Sequence, residues 1–330
     1  MSIIEVKELI KDFKVYQQQS GFVKVLKSFV KQDIKKVNAV KNVSFSINEG
    51  ETVGFIGENG AGKSTTIKIM SGILYPTSGE VLVDGIRPYE NRRRNAMNIG
   101  VIFGQRSRLL WDLPMKDSFE LYKEIYKIDK EIFEENVKTF IELLDMGDYI
   151  KTPIRQLSLG QRMKVEISLA QLHDPKILFM DEPTIGLDVL AKSNIRQFIL
   201  ESNKKRGTTT LLTSHDMKDL DQVCERIIMI SKGEIIYDGG IKEFKLRYGG
   251  QTLIRVVLAN ECVITHPKFL VSKVDKYLYN VIFDKNEISL PEVISYITSN
   301  CEVIDMSIKE PDIEDIVKEM YVNNSANNSK

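Results

Sequence analysis

Between Gly50 and Gly240, short apolar runs alternate with stretches whose apolar residues recur three and four apart. ETVGFIG, GEVLVDG, NIGVIFG, KILFMDE, TTTLLTS and RIIMIS are each followed by a turn or a helical pattern. Strands alternating with helices predict an α/β domain. KILFM and TTTLL lack polar alternation, which predicts strands covered on both faces at the centre of a parallel sheet. From Asp117 to Gly147, FELYKEIYKI and IFEENVKTFIELLDM keep helical spacing without an internal Gly or Pro, predicting a helical subdomain set into the sheet domain.

Past Gly249 and Gly250 the texture changes. TLIRVVLA, FLVSKV and YLYNVIFD read as strands, LPEVISYITS as a helix and VIDMSI as a last strand. They predict a small α+β domain over 246–320, after a first domain over 1–245 whose helical subdomain covers about 106–165. The tail NNSANNSK, within 321–330, is too polar to offset its ordering entropy by burial and is expected to be disordered.

A chain of 330 residues fits a large domain with a smaller one. Lys plus Arg number 46 and Asp plus Glu number 46, a balance that argues against a nucleic-acid partner held by phosphate attraction. No run approaches the roughly 20 apolar residues of a membrane span, and the start MSIIEVKELIKDF carries charges where a signal peptide is apolar. The expectation is a soluble, cytoplasmic chain. Cys224, Cys262 and Cys301 are widely spaced and never in a CxxC pair, which predicts reduced thiols and no zinc site.

The run TVGFIGENGAGKSTTIKIMSG contains Gly57, Glu58, Asn59, Gly60, Ala61, Gly62, Lys63 and Ser64, followed by Thr65, in the pattern GxxxxGK[ST]. It follows a strand pattern and opens a helical one, the context a phosphate-binding loop requires. Glycines let the backbone turn its N–H groups toward phosphates; Lys63 can reach the β and γ phosphates, and Ser64 can hold Mg²⁺. GTPases, kinases and motors share this loop, so the class rests on other motifs.

ILFMDEPTIGLD ends a buried strand with Asp181 and Glu182, at the sheet edge where α/β proteins place ligands. Asp181 suits Mg²⁺, and Glu182, pointing elsewhere, suits a general base for an attacking water. Adjacent acids at a strand end can also simply start a helix. Upstream, RQLSLGQRMKVE places Leu157, Ser158, Leu159, Gly160 and Gln161 ahead of a helical pattern, where Ser158 can serve as a plain cap.

Together these runs resemble the ABC ATPase family over about Ile3 to Gly240. The resemblance implies an ABC-type P-loop fold with a mixed or parallel sheet, and ATP with Mg²⁺ as ligands. In that family LSGGQ faces the γ-phosphate held by the opposite subunit, which implies that role for Ser158, Gly160 and Gln161. Leu159 replaces the first Gly and puts the local backbone geometry in question. Gln105 matches the Q-loop residue that reaches Mg²⁺ and the attacking water, Asp188 the D-loop aspartate, and His215 the switch histidine beside Glu182. Phe13 stands where an aromatic stacks on adenine, with Tyr16 as competitor, and either can be plain packing.

GQRSRLLWDLPMKDSFE, EPTIGLDVLAK and the tail IKEPDIEDIVKEMY resemble the ATPases of ABC-2 type export systems. The implied partners are separate ABC-2 type membrane permeases and a second ATPase copy, identical or similar, at the cytoplasmic face of the membrane. Against the family, 17–37 is an insertion; Phe22, Leu26, Phe29, Val30 and Val37 amid lysines fit either a basic amphipathic helix at a membrane or one packed on its own domain. Trp111 either lines the permease groove or fills the subdomain core. A soluble ATPase of translation or repair is the first rival, disfavoured by a single cassette and the absence of sustained heptads. A non-catalytic ATP sensor is the second, disfavoured by the presence of Glu182 and His215.

Overall fold

In the computed structural model, the residues described are 1–16, 34–104, 107–214, 216–249, 251–309, 313–317 and 320–321. They fall into two units, Met1–Gly239 and Gly240–Lys330. The boundary lies a few residues before the expected one, so a helix at Ile241–Tyr248 goes with the second unit.

The first unit holds two sheets. Strands β1 (Ser2–Tyr16), β2 (Ile34–Asn48) and β4 (Ser78–Val83) form an antiparallel sheet in the order β2-β1-β4. GEVLVDG, one of the six apolar runs, therefore lies outside the main sheet. Residues 34–37 of the expected insertion belong to β2, while 17–33 lie outside the described residues. The main sheet takes β3 (Thr52–Gly57), β5 (Ile99–Phe103), β6 (Ile177–Asp181), β7 (Thr209–Thr213), β8 (Arg226–Ser231) and β9 (Glu234–Gly240) in the order β5-β6-β7-β3-β8-β9. The pairs from β5 through β8 are parallel. β6 and β7 are interior, and every residue of Thr209–Thr213 is buried, in keeping with their unbroken apolar and β-branched composition.

Helix α1 (Lys63–Met70) follows β3 directly, and α2 (Arg92–Asn98) leads into β5. The expected helical region contains α3 (Met115–Tyr126) and α4 (Lys130–Leu144), each ended by a residue in the left-handed conformation, Lys127 and Asp145. After two short 3₁₀ turns, α5 (Leu159–Gln171) runs past the expected limit of the subdomain and returns the chain to β6. Helix α6 (Val189–Arg206) starts on an Asp188 cap and stops at Gly207, and α7 (Met217–Val223) precedes β8. The core joins the sheets through α1: Ile4, Leu9, Val43, Ile47 and Val81 share one buried cluster with Phe55, Ile67, Phe179 and Ile228.

In the second unit, after α8 (Ile241–Tyr248), strands β10 (Gln251–Leu258), β11 (Phe269–Lys273), β12 (Leu278–Asp284) and β13 (Val303–Lys309) form an antiparallel sheet in the order β11-β12-β10-β13. One face carries Ile254, Val256, Val281 and Phe283 against Val293 and Ile297 of α9 (Leu290–Asn300), which begins with a Ser289–Glu292 capping box. Cys262 and Cys301 form a disulfide across 39 residues of sequence, which corrects the expectation of reduced thiols. Their wide spacing hid the pairing, because the fold returns the end of α9 to the segment after β10. Cys224 is free and buried. The polar tail beyond Tyr321 lies outside the described residues.

Candidate functional site

The phosphate loop lies where the sequence places it, between β3 and α1. Gly62 precedes the helix with φ of 113°, and a Cβ there would stand 2.6 Å from the Ala39 carbonyl oxygen. Only glycine fits that backbone. No side chain caps α1, so its first N–H groups are not spent on a local side chain. Lys63 is 6% exposed; its Nζ donates to the carbonyls of Gly57 and Glu58, inside the curl of the loop. Burial pushes the Lys63 ammonium below its ordinary value, and the nearby negative charges of Glu182, Asp181 and Glu58 oppose that shift. Lysine, loop and both acids thus share one electrostatic environment.

Asp181 ends β6, and the hydroxyl of Thr213, at the end of the neighbouring β7, donates to its Oδ1 at 2.8 Å. The Glu182 N–H donates to the same hydroxyl at 3.0 Å. Glu182 has φ of 57°, a left-handed conformation that a non-glycine residue adopts at a cost of about 1 kcal/mol or more. The turn sends Glu182 away from the strand direction that Asp181 follows. It lines a cavity of about 150 Å³ with Thr184, Gly186, Lys192, Ser214 and Asp216, where Lys192 and Asp216 pair at 2.7 Å. Thr213, Lys192 and Asp216 are absent from the sequence-derived set. Thr213 left a faint signal as the threonine closing a buried strand, but its partner is set by sheet register.

Ser158 caps α5 in a full capping box: its Oγ accepts from the Gln161 N–H at 3.2 Å, and the Gln161 side chain accepts from the Ser158 N–H at 2.9 Å. Leu159 is the first residue of a regular helix and has no positive φ, so the backbone here does not need the missing glycine. Gly160 lies in the first turn, where a Cβ would stand 3.1 Å from that of Ala191 in α6. Asp188 caps α6 through Ala191 N–H at 2.8 Å. Around these two helix starts Leu159, Ile185, Val189 and Leu190 are exposed.

Phe13 is half-buried in β1, paired with Val37 and with the Lys11 ammonium over its ring. Three residues along β2, Val40 lies beside the Gly62 position. The side chain of Tyr16, and Gln105 and His215 altogether, fall outside the described residues. Trp111 is 48% exposed beneath the Arg162 guanidinium, so it does not fill the subdomain core. For Mg²⁺ the residues present fit: the Asp181 carboxylate is held by the Thr213 hydroxyl close to the phosphate loop, and Ser64 follows Lys63 at the start of α1.

A glycine-bearing loop on a parallel strand, a buried lysine within it and two carboxylates at the end of β6, separated from β3 by β7, define a nucleotide triphosphatase of the P-loop class. The ABC transporter family matches residues 40–185. The ABC transporter ATP-binding protein NatA of Bacillus subtilis is 35% identical over 212 residues, covering 64% of this chain and 86% of NatA. The linearmycin resistance ATP-binding protein LnrL of Bacillus subtilis is 28% identical over 295 residues, covering 86% of this chain and 94% of LnrL. The methionine import ATP-binding protein MetN of Geobacillus kaustophilus is 36% identical over 233 residues, covering 69% and 64% of the two chains. A dimeric, post-hydrolysis form of the ATP-binding cassette MJ0796 with ADP and Pi superposes with a TM-score of 0.59 at 26% identity, covering 72% of this chain and 98% of that one. The chain belongs to the ABC transporter ATP-binding family, and its first unit is an ATPase cassette.

Proposed function

We infer that the chain powers export through separate ABC-2 type permease subunits, by closing with a second copy around ATP at the cytoplasmic face of a membrane. The observation that carries the reading is the shared environment of Lys63, Asp181 and Glu182, with the capped Ser158 helix presented at the surface. Lys63 leaves its carbonyl partners for the β and γ phosphates, and the loop N–H groups from Gly57 to Thr65 cradle them. Ser64, Asp181 and Gln105 would hold Mg²⁺, which would supply positive charge against the phosphates. Glu182, turned out of the strand by its left-handed backbone, orients water and takes its proton, assisted by His215.

The starts of α5 and α6 face the opposite copy. Ser158, Gly160 and Gln161 contribute to its ATP, and Asp188 crosses to it. Exposed Leu159, Ile185, Val189 and Leu190 at these helix starts support such a contact. Phe13 stacks on adenine. Among the described residues no helix is long and apolar enough to cross a membrane. Import and resistance proteins both occur among the relatives, so direction rests on a narrower argument. The LnrL alignment spans 86% of this chain and extends well into the second unit, whereas those to MetN proteins span 63% to 75% of it.

Glu182→Gln tests the motor: the variant is expected to bind ATP and dimerise while hydrolysis falls by ~10² or more. Undiminished turnover removes Glu182 from its role. Affinity capture from native membranes tests the load, with multi-span permease chains expected; recovery of ribosomal or DNA-bound partners instead overturns the transport assignment.

A further inference from the structure

The turn between β8 and β9 consists of Lys232 and Gly233, both with positive φ, at 49° and 87°. Such a two-residue turn matches the right-handed twist of the strands it joins. Gly233 also reaches beyond its own hairpin. Its N–H donates to the Ala61 carbonyl at 3.0 Å, inside the phosphate loop, and its carbonyl accepts the Lys41 N–H at 2.8 Å, on β2. One residue thus uses both of its backbone groups to join the phosphate loop to a strand of the antiparallel sheet.

The joint is tight on both sides. A Cβ on Gly233 would stand 3.2 Å from the Ala39 carbonyl oxygen and 3.3 Å from the Lys41 nitrogen. The Ala39 oxygen is the atom that a Cβ on Gly62 would also meet, from the loop side. Val40, Ala61 and Ile230 at the end of β8 are buried in the same core cluster. The Ala61 N–H in turn donates to the Glu58 carbonyl at 3.0 Å, which also accepts from the Lys63 ammonium. The turn therefore bears on the curl that holds Lys63.

Strand β2 leads from this joint toward the adenine side. Val37 pairs with Phe13 of β1. It lies four residues before Lys41, a strand length of ~13 Å at about 3.3 Å per residue. We propose that Gly233 is a positioning residue for nucleotide binding: the β8–β9 turn holds the phosphate loop against β2 and so fixes the span between the phosphate cradle and Phe13. The proposal rests on the adenine-stacking role given to Phe13 above. Gly233 touches neither base nor phosphates. A ligand that fills both ends gains from a span set in advance, because no binding free energy is lost in bringing the two ends into register. A ligand that occupies the loop alone has no such dependence.

Calorimetric titration of the full-length chain with a non-hydrolysable ATP analogue and with inorganic tripolyphosphate, each with Mg²⁺, separates the two cases, with Tm measured in parallel. Gly233→Ala must hold a left-handed backbone and crowd Ala39. It is expected to weaken the ATP analogue about tenfold while tripolyphosphate stays within about twofold of the parent. Gly233→Asn, which enters positive φ more readily, is expected to lose less and gives the reading if Gly233→Ala does not fold. In a Phe13→Ala background, Gly233→Ala is expected to add no further loss of analogue affinity. Equal weakening of both ligands would mean that the turn only builds the phosphate loop, and an unchanged analogue affinity in a folded variant would mean that the span is set elsewhere. Either result overturns the proposal. A Phe13→Ala chain that binds the analogue as tightly as the parent would overturn the adenine role of Phe13, a failure distinct from any difference between the two ligands at Gly233.

Discussion

Thr213 donates its hydroxyl hydrogen to Asp181 at 2.8 Å while the same oxygen accepts the Glu182 N–H at 3.0 Å, so one side chain from β7 holds the carboxylate that ends β6 and the backbone of the acid that follows it. Thr213→Val keeps the shape and removes both bonds. The Glu182 N–H keeps its longer contact to the Thr213 carbonyl at 3.2 Å, so the turn persists while Asp181 loses its restraint. Hydrolysis is expected to fall on the order of tenfold with ATP binding largely retained. Steady-state ATPase assays alongside nucleotide titration check this, and unchanged turnover would show that Asp181 needs no such restraint.

Trp111 offers a half-exposed ring beneath Arg162, on the segment tied to α5. If this surface receives the permease, Trp111→Ala should uncouple transport from hydrolysis and spare nucleotide binding. Transport and ATPase rates in reconstituted vesicles separate the two. Parallel loss of nucleotide binding and transport would instead assign the ring to the stability of the cassette.

His173 stacks on Tyr126 at 3.8 Å and donates from Nε2 to the Ile99 carbonyl at 3.2 Å, with Nδ1 buried and unpartnered. Burial pulls its pKa down to about 4, against the favourable bond to Ile99. Between that value and the ordinary 6.5 the unfolded chain binds a proton that the folded chain refuses, so stability rises with pH across this window and is complete above it. Thermal melts should show Tm declining as pH falls from 6.5 toward 4, and His173→Phe should flatten that decline. An equally steep profile in the variant would place the acid sensitivity elsewhere.

The Cys262–Cys301 bond closes a loop of 39 residues in the second unit. Loop-closure entropy for such a span corresponds to roughly 2 to 4 kcal/mol of stability. Reduction, or Cys262→Ser, should lower the unfolding midpoint of the second unit and leave the ATPase rate of the first nearly intact. Differential scanning calorimetry with and without reductant reads this directly; an unmoved transition would mean that the sheet and α9 suffice.

The sequence by itself determined the elements and the chemistry carried by local pattern. GxxxxGK[ST] between a strand and a helix needs only neighbouring residues, and Gly62 at φ of 113° is the backbone that pattern requires. KILFM and TTTLL announced interior strands because burial on both faces excludes polar alternation. Ser158 and Gln161 were readable as a helix start because a capping box closes within four residues.

Tertiary structure alone decided the relationships between residues far apart in the chain. Glu166 meets Ser107 across 58 or more intervening positions, Thr213 reaches Asp181 only through parallel register, and Cys262 finds Cys301 only after the second sheet closes. It also moved GEVLVDG into the antiparallel sheet, since an apolar run specifies burial and not which neighbour supplies the hydrogen bonds. Local pattern records which groups must be buried or satisfied, and the partner that satisfies them is fixed only when the sheets and helices assemble.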